Sequence, residues 1–316
     1  MSSLNRTINS FVSSNRGFGI EIEAVGLSPR RAAEVLQRAG INIASTSSCD
    51  CGCDGCYDGN HCRNEEDCTS ALGGNSTRPA WTVKYDGSVD GGFEAVSPIL
   101  NGQAGLHECV EVARVLVAGG ASINRSCGFH VHVDARGLTG PQIINAVKRY
   151  SANEAEIDSY IIGRRRGNRC DWCHTMTDPM RELEGLSASR KNNPERVCEA
   201  ISGRYFKLNL QAYLRHGSLE FRQHSGTLNA SKIVNWVIFC IQFIEDSANS
   251  VEGAAPSVTE NLPSGTQAFL SERRAALNPV PVEPSGAEVF QRLGATLAAR
   301  DSVLPEVLAG DTEDRG

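Results

Sequence analysis

Two segments constrain the fold of this chain more than any others. In 18–25, FGIEIEAV, Phe18, Ile20 and Ile22 alternate with Glu21 and Glu23; in 128–134, GFHVHVD, Phe129, Val131 and Val133 alternate with His130, His132 and Asp134. Alternation with a period of two sends successive side chains to opposite sides of a strand, so each segment has one apolar and one charged face. Such strands must bury one side and leave the other wet, an arrangement that antiparallel sheets permit. The pattern recurs in 80–86, AWTVKYD, where Trp81, Val83 and Tyr85 alternate with Thr82, Lys84 and Asp86 before the turn residues Gly87 and Ser88. It recurs again in 93–97, which carries Glu94 and stops at Pro98. Residues 205–213 and 218–224 read as a hairpin turning near His216 and Gly217, with Lys207, Asn209, Gln211, Glu220 and Arg222 on its polar side.

Apolar residues at helical spacing predict helices over 106–118, 141–162 and 231–246, the second opening on Pro141 and stopping at Gly163. The most apolar run, 233–244, contains Asn235 and Gln242 and is too short to span a bilayer, so it reads as a core helix. The expectation is an α+β fold, a curved antiparallel sheet backed by these helices. Two stretches depart from periodicity. Residues 46–79, rich in Cys, Gly, Asp and Asn and nearly free of aliphatic side chains, read as an insertion that needs a staple. Residues 163–203, which include Arg164, Arg165, Arg166 and Arg169, read as a long surface or lid-like loop. A catalytic domain is expected over 1–250. A Pro/Gly/Ala-rich extension follows over 251–316, with short helices near 266–276 and 286–299 and a charged tail.

A net charge of −6 and a pI near 5.7 provide no general basic footprint, so free nucleic acid is not the expected partner. The opening MSSLNRTINSFVSSN lacks a basic start followed by an apolar stretch, which predicts a cytoplasmic protein with no membrane association. In a reducing compartment, clustered cysteines favour metal ligation over disulfides. Six of the twelve fall within 49–68, and Cys49, Cys51, Cys53, Cys56, His61, Cys62 and Cys68 are candidate ligands of structural zinc. Cys170 and Cys173, in the run CDWCH, offer a zinc half-site or further ligands to that cluster. Disulfides in an oxidising setting, or disorder, are the alternatives.

If the strands share one sheet, Glu21, Glu23, Glu94, His130, His132, Glu220, Lys84 and Arg222 project into one concavity. Two like charges about 5 Å apart repel by roughly 3 kcal/mol at an effective dielectric near 20, so four carboxylates require cations. Hard oxygen ligands with one or two imidazoles suit Mg²⁺ or Mn²⁺, and Arg222 and Lys84 suit phosphate contacts.

The ordered run FGIEIEA, KYDGSV, GFEAVSPIL, CGFHVHVD, YFKLNLQAY and SLEFRQHSGTLN resembles the amidoligases of phage and bacterial genomes, relatives of glutamine synthetase and glutamate–cysteine ligase, over about residues 16–246. The resemblance implies a sheet of the glutamine synthetase catalytic-domain type. It also implies a reaction in which ATP phosphorylates a carboxylate and an amine attacks the acyl phosphate to give an amide. Carried over residue by residue, it makes Glu21, Glu23, Glu94, His130 and Glu220 metal ligands and directs His132 to nucleotide phosphate, beside the phosphate contact already read for Lys84. Arg222 then stabilises the transferring phosphoryl group, with Glu23 and Glu220 beside it at the catalytic centre, and Asp86, Arg204 and Asn209 contact substrate or phosphate. The acid and the amine are small molecules or groups on a macromolecule. The Cys-rich insertion is not part of the shared core. Two other readings stand beside this one: a metal-dependent hydrolase using His130 and His132, and a non-catalytic, zinc-stabilised binding protein.

Overall fold

The computed structural model describes residues 3–12, 14–44, 79–250 and 257–279. The chain divides into one unit over Met1–Leu277 and a second over Asn278–Gly316, which falls almost wholly outside the described residues. Among the described residues, six strands form one antiparallel sheet: β1 (Phe18–Val25), β2 (Thr82–Tyr85), β3 (Gly92–Val96), β4 (Phe129–Asp134), β5 (Leu208–Asn209) and β6 (Ser218–Phe221), in the order β2-β3-β1-β4-β6-β5. The helices are α1 (Ser3–Ser10), α2 (Pro29–Arg38), α3 (Gly102–Ala118), α4 (Gly140–Ala152), α5 (Glu154–Ser159), α6 (Thr177–Glu184), α7 (Ala188–Lys191), α8 (Pro194–Ala200), α9 (Gln211–His216), α10 (Ala230–Asn249) and α11 (Ser264–Leu277).

The alternation expected from the sequence sets which face is covered. Phe18, Ile20 and Ile22 of β1, Phe129, Val131 and Val133 of β4, and Leu219 and Phe221 of β6 are all buried in one core with α3, α4 and α10. Tyr150 of α4, Phe221 of β6 and Phe243 of α10 meet with ring centroids 5.6–6.2 Å apart. Offset and edge-on contacts of this kind favour aromatic packing beyond the area they bury. The run 233–244 is a core helix as expected, and among the described residues no helix is long and apolar enough to cross a membrane.

Four expectations change. The sheet is open and not strongly curled; outer strands of four and two residues leave little length over which coiling accumulates. The helix expected over 141–162 begins on a capping box, with Thr139 and Gln142 bonding reciprocally, but breaks at Asn153. There the Asn153 side chain donates to the Arg149 carbonyl at 2.9 Å, an alternative to continuing the helix. The segment 163–203 is not an irregular loop: α6, α7 and α8 lie within it, and Leu183, Val197, Cys198 and Ile201 are buried, with α6 and α8 packed on α4. Lastly, the first arm of the expected hairpin shortens to β5. Asn209 Oδ1 accepts the Gln211 N–H at 2.9 Å and Gln211 Nε2 donates to the carbonyls of Cys198 and Ile201, which starts α9 in place of more strand. Gly217, at φ +67°, turns the chain from α9 into β6, a left-handed conformation that glycine adopts without steric cost.

The predicted helix near 266–276 is α11, which packs on α1 and α10. The region 286–299 and the cysteine run 49–68 with His61 lie outside the described residues.

Candidate active site

Strand register builds the site on the wet face. Lys84 of β2 stands opposite Glu94 of β3, which stands opposite Glu23 of β1; Glu21 stands opposite His130 of β4; His132 stands opposite Glu220 of β6, which stands opposite Asn209 of β5. Because facing residues of antiparallel strands share a side of the sheet, this register gathers all these groups on one surface. They line a cavity of about 1040 Å³ together with Asp86, Arg204 and Arg222, so the structure brings every site residue expected from the strands and their turns into one place.

His130 lies at the centre. Its Nδ1 is 2.9 Å from Glu21 Oε2 and 3.5 Å from Glu220 Oε1, and its Nε2 is 3.6 Å from Glu23 Oε1. His132 Nε2 is 3.1 Å from Glu21 Oε1, and its Nδ1 meets Ser218 Oγ at 2.9 Å. Glu23 Oε2 accepts the backbone N–H of Gly128, fixing this carboxylate to the start of β4. Lys84 Nζ pairs with Glu94 at 3.0 Å. Asn209 Nδ2 donates to Glu220 Oε2 at 2.6 Å and so orients that carboxylate at the cavity wall. Arg204 is exposed at the rim, with its guanidinium 5.1 Å from the Tyr205 ring centre.

Burial and charge pull the titrations apart. Burial alone would lift Glu21, but hydrogen bonds and charge from His130 and His132 outweigh it and hold the carboxyl well below the usual range. Burial alone would lower both imidazoles, but the bonds to Glu21 and the surrounding carboxylates raise them. Glu94 is pushed up to about 8 by burial and by the charge of Glu21, against the opposing pull of Lys84. The donor set fits a hard divalent cation. Glu21, Glu94 and His130 offer ligand atoms all within 4.8 Å of one another, as do Glu21, His132 and Glu220, and Glu23, Asp86 and Glu94. A cation among these oxygens would relieve the same repulsion that lifts Glu94.

Sequence reasoning missed several groups at the cavity. Trp172 and Tyr205 line it and meet edge to face at 5.1 Å, and Arg215 adds a cation. Trp172 was hidden inside CDWCH, where the cysteines drew the reading toward zinc, and Arg215 fell where a hairpin turn was expected. Arg165, read within a long surface or lid-like loop, is buried and donates to the Arg222 carbonyl at 3.0 Å. Cys170 and Cys173 adjoin, with the Cys173 N–H donating to the Cys170 carbonyl at 3.2 Å; among the described residues they belong to no group of three candidate ligands.

Residues 14–244 match the family described as Putative amidoligase enzyme. No curated protein matches the chain.

Proposed function

The chain belongs to the amidoligase family, and from that premise we propose that it is an ATP-dependent carboxylate–amine ligase working through an acyl phosphate. One observation carries this reading. A single cavity joins a carboxylate and imidazole cluster to four cationic side chains, Lys84, Arg204, Arg215 and Arg222, around a volume suited to a nucleoside triphosphate. Phosphoryl transfer depends on positioning and charge neutralisation more than on covalent help from the protein, and this cavity is equipped for both.

Glu21, Glu23, Glu94, His130 and Glu220 would hold magnesium or manganese, which supplies neutralisation of phosphate charge when bound. Lys84, His132 and Arg222 face the nucleotide phosphates. Arg222 meets the charge that develops on the transferring phosphoryl group, and Asp86 and Arg204 contact substrate at the rim. The acid's carboxylate oxygen takes the γ-phosphoryl group and ADP departs; the amine nitrogen then bonds to the acyl carbon, the carbon–oxygen bond to phosphate breaks, and a proton is lost. We read the sheet as the counterpart of the glutamine synthetase catalytic sheet, in a cytoplasmic enzyme of bacterial or phage type. Its acid and amine are free small molecules or groups on a macromolecule.

The test is ADP and phosphate release across a panel of acids and amines. Release should require both substrates and vanish in Glu23→Gln, whose amide oxygen can still accept the Gly128 N–H and so preserve the strand. Failure of the wild type to bind Mg–ATP at millimolar concentration defeats the reading. Nucleotide-independent cleavage would favour the hydrolase that His130 and His132 also suggest.

A further inference from the structure

A second, smaller hollow adjoins the first, and Glu21 and His132 form part of the wall of both. Along β1, alternate residues face the site, so the row Glu23, Glu21 continues as Gly19 and then Gly17. A Cβ on Gly19 would meet Ser97 Oγ at 3.5 Å and the His132 Cβ at 3.9 Å, which are ordinary contacts. Neither backbone conformation nor crowding therefore demands glycine at this position. What it provides is an open floor to a hollow of about 250 Å³, bounded outside by Ile99, which is 61% exposed.

Charge separates the two spaces. The larger collects Lys84, Arg204, Arg215 and Arg222. The smaller contains one guanidinium, Arg136, whose Nε and Nη2 are already spent on Asp134 at 2.8 and 3.2 Å. Its wall presents the carboxylates of Glu21 and Asp134 with the imidazoles of His132 and His216, the two Glu21 oxygens lying 2.9 Å from His130 and 3.1 Å from His132, and its body is largely apolar. Phosphate belongs in the first space; a cation on an apolar stem is complementary to the second.

We propose that this hollow holds the second substrate, an aliphatic primary amine. Its stem lies over Gly19 and against Ile99, and its nitrogen points to Glu21 and His132 at the boundary with the larger cavity. The assignment as substrate rests on the ligase reading, but occupancy by an amine can be measured independently of it.

The probe is n-butylamine, followed by saturation-transfer NMR on the full chain, with n-butanol as the neutral control and Mg–ATP affinity measured in parallel. Butylamine should show transfer and butanol should not. Gly19→Val should weaken butylamine binding by about tenfold or more. Ile99→Lys, a change at an exposed side chain that sets a cation at the mouth, should do the same without risk to folding. Both variants should retain wild-type Mg–ATP affinity. The proposal is overturned if butylamine gives no signal, if butanol matches it, if both variants keep it, or if adenosine displaces it. Loss of the signal in both variants, in a wild type that binds no Mg–ATP, would defeat the ligase reading and leave the amine site standing.

Discussion

Arg222 Nη1 donates to Glu220 Oε1 at 2.5 Å while its Nε donates to the carbonyl of Trp172 at 3.3 Å. One guanidinium thus ties the last strand carboxylate to an aromatic rim residue, and its own backbone is gripped at both ends by Lys207 and Arg165. Lysine has the charge but not the fork. Arg222→Lys should lower kcat for ADP release by about 10²–10³-fold, the loss typical of removing a donor aimed at transition-state charge. Mg–ATP affinity should change little. Equal losses in affinity and turnover would assign Arg222 to ground-state binding.

Lys207 is fully buried, with Nζ 2.6 Å from Glu154 and 2.7 Å from Asp158 on α5. Asp158 also accepts from Gln223, which in turn accepts the hydroxyl of Tyr150. Removing one partner of a buried ion pair strands the other charges, so Lys207→Met should cost about 3–5 kcal/mol in urea unfolding. Adding Glu154→Gln and Asp158→Asn should recover part of that loss. A Lys207→Met protein as stable as the wild type would show that this network contributes nothing net.

His224 packs between Phe129 and Trp236, and its Nδ1 donates to the Ser225 carbonyl at 2.7 Å. Burial, aided by the charges of Arg273, Lys232 and Arg165, lowers its folded-state pKa to about 3, against about 6.5 in an unfolded chain. The neutral ring is the stable one, so its contribution is complete above pH 6.5 and is lost as pH falls from there toward 3, where the unfolded state takes the proton first. The slope is about 1.4 kcal/mol per pH unit. Comparing urea unfolding at pH 7 and pH 5, His224→Phe should lose less stability than the wild type over that interval. Parallel losses would place His224 in a solvated setting.

A hydrogen bond from Cys173 brings the Cys170 thiol down to about 5, against the opposing effect of burial, while burial raises Cys109, Cys127, Cys198 and Cys240. The thiolate is the nucleophile, so iodoacetamide at pH 7 should modify Cys170 before those four, as read by peptide mass spectrometry. A faster rate after chelation would identify zinc on the Cys170–Cys173 pair; the same rate with and without chelator would exclude it.

The sheet was legible because its strands announce themselves by alternation. Glu21 and Glu23, or His130 and His132, can share a face only in a strand, and that one inference carries the site with it. What stayed hidden depended on contacts made far along the chain. Lys207 alternates like a solvated residue, and only Glu154 and Asp158, about fifty positions earlier, allow its burial. Helices α6 to α8 are short, with only Pro179 and Leu183 buried in α6, Val197 and Cys198 in α8 and none in α7, so they leave no clear period. Gln211 starts a helix through carbonyls of the preceding helical segment that no local pattern reveals.

The register of β1 also decides where such a chain can change in length. Removing one residue between Gly19 and Glu23 would turn Glu21 into the core and Ile20 or Ile22 out to the cavity, trading a buried aliphatic side chain for an unpaired carboxylate. Insertions and deletions are therefore confined to the connections. Among the described strands, the two longest intervening stretches, from Val25 to Thr82 and from Asp134 to Leu208, join strands whose spacing across the sheet is already fixed. A chain of this family can lengthen or replace those connections, and with them whatever they present at the cavity, while the parity of every residue on the sheet stays untouched.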